Sequence, residues 1–444
     1  MKAYQHFYQA FSKESLNRIY NEKLQYHLPV GLDNIIPDVF RDHIDNNIDT
    51  IIRKVLKGSY HFTRYREVLI SKGKGKPPRV ISVPTSRDSL ALAAYLAFLQ
   101  NTFDKDIKEP LLHTIIGDIT NALRESRYNG FVKADIRHFY ASIDHRLLLS
   151  KVKRRIRKKE AIQFLKSAIS TETRSRVHGE ANHSIQSTGV PEGLSISNIL
   201  ADIYLADLES RICSIHSNIR FFRFVDDIII LCDADEAEGI KDTLIEVLKR
   251  EYQLEAHPEK TVAGNLVAGV PYLGYVFYKN RICIRSEAIQ KLEYSIEELF
   301  RKQYHNKIAS YGLFVWKLNL RIVGCILEDK KYGWLFYYSQ MDDLTPLYHL
   351  DWLIKKFFAR YNIKKPDGLK TFVRGYHEIT KNVSHSTYLI NANFFSSEEK
   401  RKVLEDVYPR RGFENIPDET IDVWFKQMLF REIKYLEHDI QSFS

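Results

Sequence analysis

Two adjacent carboxylates, Asp226 and Asp227, lie inside an otherwise apolar stretch with the sequence RFVDDIIIL at residues 223–231. Phe, Val and Ile favour β-strands, so residues 221–232 predict a buried β-hairpin with both acids near its turn. Two like charges that are partly removed from water are unfavourable unless cations or basic groups compensate them. Unless the pair belongs to an ordinary exposed turn, the fold must bring positive charge to this hairpin.

A third carboxylate, Asp135, ends a second predicted strand. Residues 131–136, FVKADI, alternate between apolar and polar side chains, which is typical of a strand. Asp135 therefore either caps the turn that follows or projects beside the hairpin. In the second case, the acids form an oxygen-rich site for two divalent metals, with Mg²⁺ as the expected ion and Mn²⁺ as an alternative. Two ions about 4 Å apart hold the attacking and leaving oxygens of a phosphoryl transfer.

Two further segments suit a phosphate ligand. In residues 189–205, GVPEGLSISNILADIYL, glycines and a proline predict a tight loop, followed by a helix that Ser195 or Ser197 caps. A glycine in such a loop lets the backbone approach a ligand closely. Residues 69–90, LISKGKGKPPRVISVPTSRDSL, predict a basic β-hairpin and then a helix with Ser86 at its cap. The basic side chains either face solvent or grip a triphosphate, for which Arg is suited by its two-point hydrogen bonding.

The remaining pattern predicts an α+β fold with an antiparallel centre. Residues 1–60 carry apolar side chains at helical spacing, and the chain from about residue 287 is mostly helical and aromatic. Residues 240–252 predict a helix, and residues 272–284 a second strand pair. Residues 146–170 predict one basic amphipathic helix, which includes the run KVKRRIRKKE. That helix presents its charges either to solvent or to nucleic acid.

The charge balance favours a polyanionic partner. The 444 residues contain 66 Lys and Arg against 56 Asp and Glu, a formal net charge of +10, which is typical of proteins that bind nucleic acid or an anionic membrane surface. Four Cys residues, none in a CxxC pair, exclude a disulfide scaffold and a cysteine-rich zinc module. No stretch approaches the ~20 apolar residues of a membrane span and the N-terminus lacks an apolar leader, so we expect a cytoplasmic protein without membrane contact.

These segments follow one another in an order that is far more specific than any of them alone. Over about residues 10–290 the sequence resembles the reverse transcriptase superfamily, particularly its prokaryotic branch with the group II intron and retron enzymes. The matching motifs are GLDNI (31–35) of the N-terminal extension, residues 69–90 of the fingers, VKADIRHFYASIDH (132–145) as motif A, residues 189–205 as motif B, RFVDDIIIL as motif C, LEAHPEKT (254–261) as motif D and PYLGYVF (271–277) as motif E.

The resemblance implies a right-hand polymerase fold of the α+β class, with an antiparallel palm sheet and a helical thumb and C-terminal region. The implied activity is RNA-directed DNA polymerisation from dNTPs by two-metal phosphoryl transfer. The expected boundaries are 1–65 for a helical N-terminal extension, 66–130 and 146–188 for the fingers, 131–145 and 189–286 for the palm, 287–360 for the thumb and 361–444 for a helical C-terminal extension.

The resemblance also implies roles for residues near the acids. Asp135, Asp226 and Asp227 are the expected catalytic carboxylates and metal ligands, and Ile136 is expected to lend its backbone carbonyl to the second metal. Lys260 is expected to donate a proton to the departing pyrophosphate, although a lone Lys is equally typical of a protein surface.

Five further residues are expected to contact the nucleotide. In the family's pattern, Lys72 and Arg79 hold the triphosphate. Tyr140 falls at the steric-gate position, where an aromatic ring excludes a 2′-hydroxyl, which implies dNTP substrates. Gly193 belongs to motif B, where the family usually has Pro-Gln-Gly and this chain has Pro-Glu-Gly with Glu192. A carboxylate facing the template or the nucleotide would repel phosphate, so this departure predicts a restricted template or product.

Residues 318–352, LNLRIVGCILEDKKYGWLFYYSQMDDLTPLYHLDW, resemble the C-terminal part of bacterial defence-associated reverse transcriptases, above all the smaller polymerase of the type 3 antiphage systems. Those systems encode two reverse transcriptases and a small structured RNA. The expected partners are therefore a non-coding RNA template, the DNA product, and a second reverse transcriptase subunit or another copy of this chain. Two alternatives stay open: template-independent or protein-primed DNA synthesis, as in abortive-infection relatives, and a non-catalytic RNA-binding scaffold.

Overall fold

The computed structural model describes residues 1–25, 28–71, 75, 77–104, 107, 112–125, 127–175, 187–328, 330–409 and 412–440. The chain forms two compact units, each assembled from two stretches of sequence. Unit 1 comprises Met1–Leu111 and Val132–Gly264, and unit 2 comprises Leu112–Phe131 and Asn265–Ser444. The α+β class predicted from the sequence is confirmed.

Helices precede the first strand, helices and strands are interspersed between residues 65 and 284, and helices dominate the chain after residue 284. The α-helices of the described residues are α1 (Ala3–Ala10), α2 (Lys13–Ile19), α3 (Pro37–Asp42), α4 (Ile44–Leu56), α5 (Ser86–Phe103), α6 (Leu112–Arg124), α7 (Phe139–Ser142), α8 (His145–Lys153), α9 (Lys159–Ser170), α10 (Ser197–Tyr204), α11 (Leu208–Ile215), α12 (Ala237–Glu251), α13 (Ser286–Tyr304), α14 (Tyr311–Val323), α15 (Trp334–Tyr337), α16 (Thr345–Arg360), α17 (Phe372–Lys381), α18 (Ser397–Val407) and α19 (Asp418–Ile440).

The strands of the described part of the chain form four small sheets. They are β1 (Tyr65–Ile70), β2 (Arg79–Val83), β3 (Gly130–Asp135), β4 (Thr173–Arg174), β5 (Arg220–Phe224), β6 (Asp227–Cys232), β7 (Val262–Asn265), β8 (Val270–Tyr272), β9 (Tyr275–Tyr278), β10 (Arg281–Ile284), β11 (Cys325–Leu327) and β12 (Lys330–Tyr332).

A four-stranded sheet in the order β5-β6-β3-β7 positions the acidic residues of unit 1. β5 and β6 form the predicted antiparallel hairpin, with Phe224 opposite Asp227 at its closed end. β6 is buried from Ile228 to Cys232, which explains why its sequence shows no polar alternation. β3 is the predicted strand at residues 131–136 and lies directly beside β6.

The predicted basic hairpin is also present in unit 1. β1 pairs antiparallel with β2, from Arg66 opposite Val83 to Ile70 opposite Arg79, and parallel with the short β4. The turn that carries Lys72 lies outside the described residues. Both strands are short and half-exposed, so their register rests on main-chain pairing more than on burial.

Residues 146–170 are two helices, so the prediction of one basic amphipathic helix is wrong. α8 ends at Lys153 and α9 begins at Lys159. Lys151 is buried: its Nζ pairs with Asp207 and lies 4.4 Å from the ring centroid of Tyr252. A basic side chain that finds a carboxylate and an aromatic ring inside the fold is structural and contributes nothing to a surface for nucleic acid.

The predicted caps of two helices are also wrong. Thr85 caps α5 with its hydroxyl, and Ser86 is the first helical residue. α10 begins at Ser197 without a side-chain cap, so neither Ser195 nor Ser197 serves as one. The hydroxyl of Ser197 instead donates to the carbonyl of Pro191 at 2.7 Å. This bond closes the loop before the helix, which is a tertiary use of the hydroxyl that local sequence does not reveal.

Unit 2 contains the three-stranded sheet β10-β9-β8, the hairpin of β11 and β12, and the helices from α13 onward. The strand pair predicted at residues 272–284 is therefore a set of three strands. Trp334 and Tyr338 are fully buried with ring centroids 4.7 Å apart, and Tyr275 lies 5.1 Å from Tyr338. Within the described ranges, no helix combines the length and apolar character needed to cross a membrane.

The long helix α19 is held to the rest of unit 2 by buried polar contacts. Lys317 of α14 pairs with Glu432 at 2.8 Å, and the side chain of Glu432 is 4% exposed. Ser295 of α13 donates to Asp439 at 3.0 Å, and Arg321 of α14 donates to Ser295 at 3.1 Å. Because these groups are shielded from water, each depends on its partners.

Candidate active site

The candidate site is built in unit 1, where β3 ends and the β5–β6 hairpin turns. Asp135 is the last residue of β3, Asp227 is the first residue of β6, and Asp226 precedes it in the turn. β3 and β6 are neighbouring strands, and the charge of Asp135 acts on both hairpin acids. The structure therefore brings together the three carboxylates that the sequence predicts.

The two-residue turn that presents Asp226 has a strained backbone. Val225 has a φ of 55°, a left-handed conformation that is a clear outlier for a β-branched residue. Such strain costs about 1–3 kcal/mol and persists only where surrounding contacts enforce it. Arg223 supplies one of them, because its Nη1 donates to the carbonyl of Val225 at 3.0 Å and to Asp202 of α10 at 2.8 Å. The ion pair thus ties the turn to a helix.

Lys260 brings positive charge to the first acid. Its Nζ donates to Oδ2 of Asp135 at 3.1 Å, with the Lys260 side chain half exposed and Asp135 buried. Main-chain hydrogen bonds hold this segment against the end of β3: the N–H of His257 donates to the carbonyl of Asp135 at 2.7 Å, and the N–H of Arg137 donates to the carbonyl of Glu255 at 2.8 Å. Lys260 therefore lies in the site, where it is paired with the carboxylate of Asp135.

Burial and mutual repulsion raise the pKa values of the two hairpin acids. For Asp227, burial and then the charges of Asp226 and Asp135 raise the pKa to about 7. For Asp226, burial is the largest cause of a raised pKa and the charge of Asp135 adds to it, while Arg79 and Lys260 oppose it. The ionised forms of Asp226 and Asp227 are thus disfavoured unless a further cation lies beside them.

The donor set fits a hard divalent cation. Three carboxylates and the backbone oxygen of Ile136 offer the oxygen ligands that Mg²⁺ and Mn²⁺ prefer. The backbone of Ile136 is fixed by an antiparallel bridge to Ala256. Among the described residues, no three His, Cys, Asp or Glu side chains form a ready-made metal cluster. Mg²⁺ in such sites keeps several waters and takes further ligands from a substrate phosphate.

Tyr140 lies beside the acids on the short helix α7. It is 9% exposed, and its hydroxyl donates to Oδ1 of Asn198 at 2.7 Å. Burial and then the charge of Asp226 raise the pKa of Tyr140 well above its usual value of about 10, so the hydroxyl stays protonated at neutral pH. A ring held in this way is a rigid steric element next to the carboxylates.

The glycine-containing loop at residues 189–193 packs directly on β2. The N–H of Ser82 donates to the carbonyl of Glu192 at 2.7 Å. Gly193 has a φ of +100°, and a Cβ at this position would lie 2.6 Å from Cγ2 of Ile81. The loop therefore requires glycine for both its backbone conformation and its close contact.

The carboxylate of Glu192 is engaged with Arg79. The Nε of Arg79 donates to Oε2 of Glu192. The side chain of Arg79 is 42% exposed and that of Glu192 is 29% exposed. The charge of Arg79 acts on Asp226 and on Tyr140, so this predicted triphosphate ligand reaches the site. Lys72, the other predicted triphosphate ligand, lies outside the described residues.

Sequence reasoning missed three residues that support the site. Asn198 accepts a hydrogen bond from the hydroxyl of Tyr140, and the ion pair between Arg223 and Asp202 holds the turn of the hairpin. A signal exists for the ion pair, since Arg223 and Asp202 are charged residues within the apolar segments RFVDDIIIL and SNILADIYL, and charges in buried elements need partners. Asn198 gives no such signal, because a polar residue near the start of a helix is ordinary.

Residues 70–277 match the family model described as "Reverse transcriptase (RNA-dependent DNA polymerase)". The matched segment contains the three acids of the site, Tyr140 and Lys260. It extends from the end of β1 into β9.

Curated relatives and solved structures are similar at low identity. Protein YkfC of Escherichia coli K12 is 22% identical over 348 residues, which cover 68% of this chain and 87% of YkfC. The group II intron-encoded protein LtrA of Lactococcus lactis is 25% identical over 183 residues, which cover 39% of this chain and 30% of LtrA. A telomerase from Candida albicans, solved with a fragment of telomeric RNA, is 12% identical with a TM-score of 0.43 and coverages of 92% and 67%.

Proposed function

We propose that this chain, whose residues 70–277 match the reverse transcriptase model, is an RNA-directed DNA polymerase that copies a dedicated non-coding RNA into DNA in bacterial antiphage defence. In this proposal, residues 131–145 and 189–286 form the palm, residues 66–130 and 146–188 the fingers, and residues 287–360 the thumb.

One observation carries the polymerase assignment: Asp135, Asp226 and Asp227 meet at one end of a sheet, where burial disfavours the negative charge of Asp226 and Asp227. We assign these carboxylates and the carbonyl of Ile136 as the residues that hold two Mg²⁺ ions. Bound Mg²⁺ supplies Lewis-acid stabilisation to the oxygens of the reacting phosphate. Lys260, already in the site on Asp135, is placed to protonate pyrophosphate as it leaves.

The nucleotide contacts follow from the same geometry. The guanidinium of Arg79 is placed to bind the triphosphate, because a guanidinium can donate two parallel hydrogen bonds to phosphate oxygens. Tyr140 holds its ring in place through Asn198 and acts as the steric gate that excludes a 2′-hydroxyl. Gly193 lets the loop backbone approach the nucleotide without a side chain between them.

The test of the polymerase assignment is dNTP incorporation on a primed RNA template with Mg²⁺. Asp226→Asn and Asp135→Asn each keep the side-chain volume and remove one ligand charge, and each should reduce incorporation at least a hundredfold. Asp242→Asn, an exposed acid of α12, is the matched control and should retain wild-type incorporation. Full activity of either site variant would contradict the assignment of the metal ligands.

The defence role rests on residues 318–352, which resemble the defence-associated enzymes and span α14 to α16. The experiment is to purify the chain from its host and to sequence the RNA and DNA that copurify. A DNA repeat complementary to one bound non-coding RNA, together with a copurifying second reverse transcriptase, would support the proposal. Random or homopolymeric DNA attached to a Tyr would favour protein-primed synthesis, and phage protection by Asp226→Asn would favour a scaffold.

A further inference from the structure

The ion pair between Arg79 and Glu192 joins two elements of the candidate site. Arg79 begins β2, and Glu192 lies in the loop before α10. The charges of both residues act on Tyr140, and that of Arg79 acts on Asp226. The pair therefore lies where the proposed function requires the triphosphate of the incoming nucleotide to bind.

The main chain holds the two side chains at this meeting point. The N–H of Ser82, three residues after Arg79 on the same strand, donates to the carbonyl of Glu192 at 2.7 Å. Gly193 leaves no room for a Cβ against Ile81, so the loop and β2 are in direct contact. Whenever the loop is in place, the carboxylate of Glu192 is within reach of the guanidinium of Arg79.

We propose that Glu192 is a positioning residue that sets how readily Arg79 accepts a triphosphate, an inference that rests on the proposed function. The carboxylate of Glu192 accepts a hydrogen bond from Nε of Arg79. A triphosphate competes with this carboxylate for the same guanidinium. Nucleotide binding therefore includes the exchange of one anionic partner of Arg79 for another.

The expected size of the effect follows from the exposure of the pair. With 42% and 29% of the two side chains exposed, solvent screens the interaction, and such pairs hold together only weakly. Removing the charge of Glu192 should therefore change triphosphate affinity by about two- to fivefold. Glu192→Gln is the informative change, because the amide oxygen can still accept from Arg79 while the negative charge is lost.

The experiment compares wild type, Glu192→Gln, Arg79→Gln and the double variant by two measurements: steady-state KM and kcat for dNTP, and calorimetric binding of inorganic tripolyphosphate with Mg²⁺. Glu192→Gln should lower KM and the tripolyphosphate Kd about two- to fivefold and leave kcat within about twofold. In the Arg79→Gln background the same change should have no effect, because Glu192 acts through Arg79.

Glu251→Gln is the matched control, since Glu251 accepts from Nε of Arg211 at 2.8 Å in a part-exposed pair between α11 and α12. It should leave both measurements unchanged. Equal affinities of wild type and Glu192→Gln, or the same shift with and without Arg79, would overturn the inference. If the wild type incorporates no dNTP while the tripolyphosphate affinities differ as expected, the proposed function fails and the competition for Arg79 stands.

Discussion

Replacing Gly193 by Ala tests the packing of the loop at residues 189–193 against β2. The added methyl group would lie 2.6 Å from Cγ2 of Ile81 and 3.1 Å from the carbonyl oxygen of Ser82. The first contact is closer than carbon atoms approach without a shift, and the second involves a backbone atom of a paired strand. The substitution also places a side chain on a residue with a φ of +100°.

Two costs contribute to the expected loss of stability. A non-glycine residue in a disfavoured backbone region costs about 1–3 kcal/mol. Inserting a methyl group into a packed contact costs about 1–3 kcal/mol, and the lower end applies here, because the clashing Cγ2 of Ile81 belongs to a side chain that can rotate. Gly193→Ala should therefore lower the free energy of unfolding by about 2–4 kcal/mol.

Urea denaturation followed by circular dichroism measures this loss as a lower midpoint at an unchanged slope. Gly239→Ala is the matched control: Gly239 lies in α12, and a Cβ there meets nothing within 4 Å. Ala is about 0.5–1 kcal/mol more favourable than Gly in a helix interior, so the control should be as stable as the wild type or slightly more so. If Gly193→Ala unfolds at the wild-type midpoint, the proposed clash and strain at this position are wrong.

Three other changes give separate expectations. Tyr140→Ala should raise rNTP incorporation relative to dNTP at least tenfold in a competition assay, whereas Tyr140→Phe keeps the ring and should keep the discrimination. Lys317→Ala leaves Glu432 buried without its cation and should cost about 3–5 kcal/mol in thermal or chemical unfolding; a Lys317→Met/Glu432→Leu double variant should recover most of it. Asp227 has a pKa raised to about 7, so the metal-free wild type should lose stability as pH rises from about 4 to 7, and Asp227→Asn should lose less over this range.

The elements around the acids are predictable from sequence because their signals are local. Alternation in FVKADI and the apolar flanks of Asp226 and Asp227 indicate strands without reference to the rest of the chain. The convergence of these strands with Asp135 at one end of a sheet does not follow from periodicity. It was expected from the order of the motifs, which carries tertiary information that single segments lack.

The partners of charged residues are what the sequence does not reveal. In the sequence nothing distinguishes Lys151 from the other basic residues of the run KVKRRIRKKE. In the structure Lys151 is buried and paired with Asp207, which directly precedes α11. The break between α8 and α9 contains neither Gly nor Pro, so no local signal marks it. Likewise, Glu192 in motif B predicts a carboxylate that faces substrate, and the structure pairs it with Arg79.

The turn of the acidic hairpin explains why propensity fails at the site itself. Two-residue hairpin turns require a positive φ at the first position or at both positions and favour Gly, Asn or Asp there, whereas this chain places Val225 at the first position with a φ of 55°. The β5–β6 register fixes Phe224 opposite Asp227, and Arg223 holds the carbonyl of Val225, so the left-handed backbone persists in spite of its cost. Glycine at residue 225 would relax the strain and keep Asp226, so the backbone cost comes from Val225 and not from the acid. Local preference therefore gives way where strand pairing and the hydrogen bond from Arg223 fix the backbone of the turn.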